Sequence, residues 1–135
     1  MISKIAHLLE EHLQTFATQE NLQVVYENIE VKPENEIYLI CNILPSITTN
    51  FDLEGKLRTY KGVFQVSVVT PINTDIESVH TIVDAIIEHF PLDLELKQDH
   101  FSLYINSIPS AYPAVKEKST YTIPISMNYR ADILI

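Results

Sequence analysis

A run of strand-forming residues followed directly by an amphipathic helix constrains the fold more than any other feature of this sequence. Gly62–Thr70 is rich in valine, which favours a β-strand, and Pro71 ends the pattern. In the segment that follows, apolar residues recur at three- and four-residue steps, which predicts a helix running to about Phe90. Thr74 and Glu77 have the spacing of a capping box at its start. This succession favours a sheet with a helix packed on it.

Apolar patterns predict further elements on both sides of this pair. Residues 2–18 have the spacing of an amphipathic helix, and residues 36–44 have two largely apolar faces, which is typical of a central strand. Weaker strand patterns cover residues 22–27, 101–108 and 120–129, and residues 92–96 alternate briefly. The order predicts an α+β fold, with an antiparallel or mixed sheet of about four to five strands and two helices packed on one face. We expect a single domain over residues 1–135.

Two features near the end of the sequence carry their own expectations. Pro124 lies inside the last predicted strand and has no N–H to donate, which predicts an edge strand or a bulge there. The apolar segment Asp132–Ile135 follows that strand, and nothing in the pattern gives it a role within the chain.

Charge and hydropathy exclude several classes of function. Nine basic and eighteen acidic residues give a net charge of −9, which repels phosphate backbones and disfavours nucleic-acid binding. No apolar run approaches the roughly 18 residues that a membrane-spanning helix needs. The first residues alternate between apolar and polar, whereas a secretory signal has an uninterrupted apolar stretch. We therefore expect a soluble protein made in the cytoplasm, without a membrane partner.

Residues that could carry chemistry do not form a convincing set. His80, Asp84 and Glu88 lie at four-residue steps on the second helix, which allows a metal or acid–base cluster but is also the ordinary pattern of a solvated helix face. Cys41, the only cysteine, lies within a strand and is interpreted as a small buried hydrophobe. Two glycines are too few for a glycine-rich phosphate loop. The sequence predicts no catalytic, cofactor or metal residue and no enzymatic activity.

Residues 46–61 differ from the rest of the chain because they have little periodicity. They are interpreted as a long loop or extended arm, with some strand character near Leu57–Tyr60. Lys56, Arg58 and Lys61 hold three of the nine basic residues of an otherwise acidic chain. They are either the ordinary solvated charges of a loop or, with Tyr60, the predicted subunit interface, in which the basic arm of one copy meets an acidic face of the next.

The order of these elements resembles a known family. The features that carry the resemblance are Tyr26-Glu27-Asn28 after a first helix, Tyr38-Leu39 leading to Leu44-Pro45, Gly62-Val63-Phe64-Gln65-Val66-Ser67-Val68 running to Pro71, and a helix ending at Phe90-Pro91. Together they are similar to the tail-terminator, or tail-completion, proteins of long-tailed bacteriophages. The resemblance extends from about Ile5 to Tyr129.

The resemblance implies a structural virion protein assembled in the host bacterial cytoplasm. Such a protein forms a homohexameric ring on the end of the tail tube, stops tube polymerisation and provides the interface to the head or neck. Its implied partners are copies of itself, the tail-tube protein and a head–tail connector or neck protein, and no cofactor is implied. The alternatives are another head–tail joining protein or a small metal-dependent hydrolase that uses the second helix.

Overall fold

Two helices and a mixed β-sheet make up the computed structural model, which describes residues 1–27, 29, 33, 35–50, 54–98 and 101–134. The elements in chain order are α1 (Ile2–Gln19), β1 (Gln23–Val25), β2 (Tyr38–Pro45), β3 (Thr49–Asn50), β4 (Leu57–Pro71), α2 (Ile76–His89), β5 (Glu95–Gln98), β6 (Phe101–Ile105), β7 (Ser110–Ala111), β8 (Val115–Lys116) and β9 (Thr120–Leu134). Both predicted helices are present at nearly the predicted positions.

Six of the strands form one continuous sheet in the order β1-β2-β4-β9-β6-β5. β1 pairs with β2 in parallel, and every other neighbour in this order is antiparallel. The three two-residue strands add to this sheet, β3 on β4 and both β7 and β8 on β9. The predicted α+β class and mixed sheet are confirmed, but about four to five strands is too few. Two-residue strands are too short to show any periodicity in the sequence.

A long two-stranded ribbon forms the centre of the sheet. β4 and β9 pair without interruption from Leu57 opposite Leu134 to Pro71 opposite Thr120. The register is constant throughout, so the ribbon contains no bulge, and β9 lies between β4 and β6 rather than at an edge. The expectation drawn from Pro124 is therefore wrong.

The local pairing explains why a central strand tolerates Pro124. Its carbonyl accepts a hydrogen bond from the Tyr112 N–H at 2.8 Å, so this residue directs its backbone polar groups away from β4. The missing N–H therefore faces the connection between β7 and β8, and no β4–β9 ladder bond is lost.

The segment after the predicted last strand also has a role that the pattern did not show. Asp132–Leu134 completes β9, and the Ile133 side chain is only 9% exposed. The Thr59 hydroxyl donates to Asp132 Oδ1 at 2.5 Å across the ribbon. The expectation that this segment is unused within the chain is wrong for its described residues.

Both helices cover the same face of the sheet, as predicted. Their buried side chains join one core with alternate residues of the strands: Ile5, Leu9, Leu13 and Phe16 from α1, Val79, Val83 and Ile86 from α2, and Leu39, Phe64, Val66, Val68, Leu103, Ile125, Met127 and Tyr129 from the sheet. Among the described residues, the opposite face has a small buried apolar cluster of Val25, Tyr38 and Val69, and Thr59 and Ser67 are also buried there. The part of this second face around Lys61, Asn128 and Arg130 is exposed, and the β4–β9 side that carries it is called here the open face.

The start of α2 differs from the predicted capping box. The residue preceding the helix is Asp75, and no side chain caps the helix start. The Thr74 hydroxyl instead donates to the Pro71 carbonyl at 2.6 Å, which closes the turn between β4 and the helix. The predicted helix is nevertheless present. Its apolar stripe, and not its cap, holds it on the sheet.

The two helices meet through a reciprocal pair of histidines. His12 Nε2 lies 2.7 Å from the His89 carbonyl, and His89 Nε2 lies 2.7 Å from the His12 carbonyl. The rings are stacked with centroids 4.0 Å apart, and Phe90 contacts both at their edges. The contact gives the His89 carbonyl a hydrogen-bond donor. This carbonyl is one of the last four carbonyls of α2, which have no partner within the helix.

We expect this junction to make stability sensitive to mild acid. Burial lowers the pKa of His12 below its ordinary 6.5, and the neighbouring His89 lowers it further, although the hydrogen bond to the His89 carbonyl opposes the shift. The unfolded chain therefore binds more protons than the folded one, and stability present above pH 6.5 is lost as pH falls through that value towards the lower folded pKa. Urea midpoints at about pH 7.5 and 5.5 should differ less for His12→Gln than for the wild type.

His80→Gln provides the matched control, because His80 is exposed on α2 and lies outside the junction. Between the two pH values, that variant should lose as much stability as the wild type does. Glu11, Glu95 and Lys97 line the same shallow surface cavity as His12, and they are left unchanged in both variants. An identical loss in His12→Gln and the wild type would contradict the prediction.

Candidate functional site

The four residues of the predicted interface do not share one surface. Residues 57–61 are not part of an arm, because they begin β4, and β3 pairs back on them. Successive side chains of a strand point to opposite faces. Arg58 and Tyr60 therefore lie on the helix-bearing side of the sheet, whereas Lys61 lies on the open face. Lys56 precedes the strand.

Three of these residues also have contacts within the chain. Lys56 Nζ lies 2.9 Å from a carboxylate oxygen of Glu54, and Arg58 Nε donates to the Gly55 carbonyl at 3.0 Å. Tyr60 is half-buried against the core. Part of this basic cluster therefore shapes the β3–β4 turn, a role that the charge pattern alone could not reveal.

Arg58 and Tyr60 face a concave surface beside that turn. They line a cavity of about 460 Å³ together with Thr48, Thr49 and Gly55. Its walls are polar and its mouth is wide, which suits contact with another protein surface better than enclosure of a small ligand. The contact of these residues with another subunit remains a prediction.

A larger groove lies on the open face. It has a volume of about 530 Å³ and is lined by Val63, Gln65, Ser107, Ile108, Ser110, Tyr112, Pro124, Ser126 and Asn128. Side chains with large exposed apolar groups stand in or beside it: Leu44 is 52% exposed, Ile108 66% and Tyr112 53%. Exposed aromatic and aliphatic side chains around a polar groove are typical of protein–protein contact surfaces.

Lys61 and Arg130 adjoin this groove. They are direct partners in the β4–β9 register, two positions along each strand from the pair formed by Val63 and Asn128. Arg130 Nε also lies 3.2 Å from a carboxylate oxygen of Asp132. Burial raises the pKa of that carboxyl, but the Thr59 hydroxyl and Arg130 outweigh it and hold the Asp132 pKa below its ordinary value.

Sequence reasoning missed the groove because its residues come from separate segments. The sequence indicates only a proline-rich loop carrying Tyr112 between Pro109 and Pro113, and the structure places Ser110 and Ala111 of that loop against the middle of β9. The signal available in the sequence was the alternation in residues 120–129, where Thr122, Ser126 and Asn128 form a polar face opposite the apolar one. A half-polar strand at the centre of a sheet indicates an open face.

The residues considered for chemistry lie in different parts of the fold. Cys41 is 1% exposed, and burial, with Glu10 and Glu27 nearby, raises its pKa to about 12, so the thiol stays protonated. Its interpretation as a small buried hydrophobe is confirmed. His80, Asp84 and Glu88 lie on the exposed face of α2, and within the described residues no group of three or more His, Cys, Asp or Glu is placed to hold a metal ion. Among those same residues, no helix is long and apolar enough to cross a membrane.

Comparisons with known proteins agree with the geometry. One solved structure superposes with a TM-score of 0.81 at 26% sequence identity, and the match covers 100% of this chain and 96% of the solved chain. No curated protein sequence matches this chain. A family model described as phage tail terminator protein matches residues 4–129, from α1 into the last strand of the sheet. The chain therefore belongs to the phage tail terminator protein family, and it is a structural component of a phage tail.

Proposed function

We propose that this protein forms a ring on the last layer of a growing tail tube, stops polymerisation of the tube and offers its other side to the head or neck. The observation that carries the proposal is the family match over nearly the whole chain. Such a role needs interaction surfaces rather than reactive side chains. It predicts contacts with copies of the same chain, with the tail-tube protein and with a connector or neck protein.

The distribution of exposed groups supports this role. The open face has a groove with exposed apolar side chains, and basic residues flank it. A ring is built from heterologous contacts, in which two different surfaces of one subunit meet the complementary surfaces of its neighbours. One free edge of the sheet is protected against unspecific pairing. Beyond β1, the Ile43 N–H on the outer edge of β2 donates to Glu27 Oε1 at 2.7 Å, and Pro45 has no N–H to offer.

A tube-growth assay tests the proposal. The tail-tube protein is polymerised with and without this protein, and growth is followed by turbidity and electron microscopy. Growth should stop when about one ring is present per tube end, because only the ends are bound. Native mass spectrometry should show a closed oligomer, alone or on tube ends. A chain that stays monomeric under both conditions and leaves tube growth unchanged would refute the proposal.

The predicted interface residues are tested in the same assay. The variant Lys56→Glu/Arg58→Glu/Lys61→Glu should weaken self-association and tube capping while it stays folded, because the turn contacts of Lys56 and Arg58 are exposed and surface charge changes usually alter stability by less than about 0.5 kcal/mol. The matched control, Lys4→Glu/Lys97→Glu/Lys118→Glu, changes the net charge equally at positions outside this cluster. Wild-type assembly by the first variant would remove these residues from the interface.

A further inference from the structure

The outer face of α2 has a strongly one-sided charge. Asp75, Glu77, Asp84, Glu88 and Asp93 lie between residues 72 and 94, a segment that contains no lysine or arginine. All five are exposed: Glu77, Asp84 and Glu88 lie on the side of the helix away from its apolar stripe, and Asp75 and Asp93 lie just outside its two ends. The carbonyl groups at the C-terminal end of a helix add partial negative charge, so the half that carries Asp84 and Glu88 is the more negative one.

The open face has the opposite character beside its groove. Lys61 and Arg130 are exposed and directly opposite each other in the β4–β9 register. Like charges in this arrangement destabilise a sheet, and Asp132 offsets only part of the repulsion through Arg130. Asp84 and Glu88 are also like charges at a spacing that brings them together on a helix. Each surface therefore contains a repulsion within the subunit that an oppositely charged partner would relieve.

The two surfaces also match in length and in their apolar ends. Ile76, at the start of α2, is 45% exposed, and about 18 Å of helix separates it from Glu88. On β9, about 20 Å of strand separates Pro124, which lines the groove, from Arg130. The groove also presents the exposed side chains of Ile108 and Tyr112. Along their axes, both elements thus carry an apolar end and a charged end at a similar spacing, with Ile76 about 120° around the helix from Glu88, at the border of the apolar stripe.

We propose that the open face of one subunit receives the outer face of α2 from a second copy of this chain. The groove at Ile108 and Tyr112 takes the Ile76 end of the helix, and the basic pair Lys61 and Arg130 binds Asp84 and Glu88. The two surfaces lie on opposite sides of the same sheet, so the contact is heterologous and leaves each subunit free to bind a further copy. This inference rests on the proposed function, because it names the surfaces through which the ring would form.

A charge exchange between two variants tests this pairing. The acidic-face variant is Lys61→Glu/Arg130→Glu, and the basic-helix variant is Asp84→Lys/Glu88→Lys. Each variant alone opposes like charges at the contact and should self-associate at least about tenfold more weakly than the wild type. In an equimolar mixture, contacts between the acidic face of one variant and the basic helix of the other join opposite charges again. The mixture should therefore regain association through these contacts. Native mass spectrometry, with tail-tube ends added, measures both results.

Controls separate the failure of this inference from that of the proposed function. Near-ultraviolet circular dichroism checks that each variant is folded, and Glu11→Lys/Glu20→Lys makes the same charge change on α1 and at the residue that follows it, and should assemble normally. If the wild type assembles but the basic-helix variant assembles equally well, or if the two folded variants do not restore each other, the pairing is wrong while the ring proposal stands. A wild type that never associates overturns both proposals.

Discussion

Replacing Phe90 with alanine is expected to lower the free energy of unfolding by about 3–5 kcal/mol, the usual cost of removing a large aromatic side chain from a packed core. Phe90 is fully buried at the end of α2. Its ring lies 5.8 Å from that of Phe64 on β4 and 4.8 Å from that of His12 on α1, measured between centroids. The one side chain thus contacts both helices and the centre of the sheet, and its loss would leave a cavity where all three meet.

Chemical denaturation measures this effect through a shift in the urea midpoint at an unchanged slope. Domains of this size have a total stability of about 5–15 kcal/mol, so the variant should lose a large part of it. Leu92→Ala is the matched control, because Leu92 is two residues away and 49% exposed, and its cost should be at most about 1 kcal/mol. Similar midpoints for the two variants would show that Phe90 does not connect the layers.

Replacing Gly62 with alanine is expected to cost about 1–3 kcal/mol, because the added methyl group has no space. A Cβ atom at this position would lie 2.5 Å from the Leu44 carbonyl oxygen and 2.7 Å from the Tyr129 hydroxyl. Gly62 lies opposite Tyr129 in the β4–β9 ribbon, and the fully buried tyrosine ring takes the space that a side chain at Gly62 would fill. The glycine is therefore required by close packing between two strands.

A double-mutant cycle identifies that cause. In a Tyr129→Leu background the Gly62→Ala change should cost less, because one of the two groups that the methyl group meets is gone. Gly55→Ala is the contrast: Gly55 has a φ of +68° and nothing within 4 Å of its Cβ position, so its cost reflects backbone strain alone. That cost should be the same in the wild-type and Tyr129→Leu backgrounds. Equal costs for Gly62→Ala in both backgrounds would show that Tyr129 is not the obstacle.

Long periodic segments are predicted well because their physics is local. The helices have an apolar stripe that identifies the face they bury, and the strands at residues 36–44 and 62–70 are rich in strand-forming apolar residues. The family resemblance rests on the same segments, in their order and spacing. It is confirmed by the match over residues 4–129.

Three of the errors share one cause, which is pairing between distant segments. Pro124 suggests an edge strand because the sequence does not show that Tyr112 lies beside it on the side of β9 away from β4. The segment Asp132–Leu134 has no apparent role in the sequence because its partners, at the start of β4, are more than seventy residues away in the chain. The basic residues at 56–61 are grouped by their closeness in sequence, although strand alternation separates them onto two faces.

The sequence by itself determined the fold class, the two helices, the strands at residues 36–44 and 62–70 and the absence of a recognisable catalytic motif, because periodicity and composition are properties of the chain at short range. Only the tertiary structure decided which surfaces remain for partners. The open face, its groove and the Lys61–Arg130 pair arise when β9 aligns along β4 and residues 107–112 pack beside them. That alignment depends on contacts between residues far apart in the chain, and no local pattern encodes it.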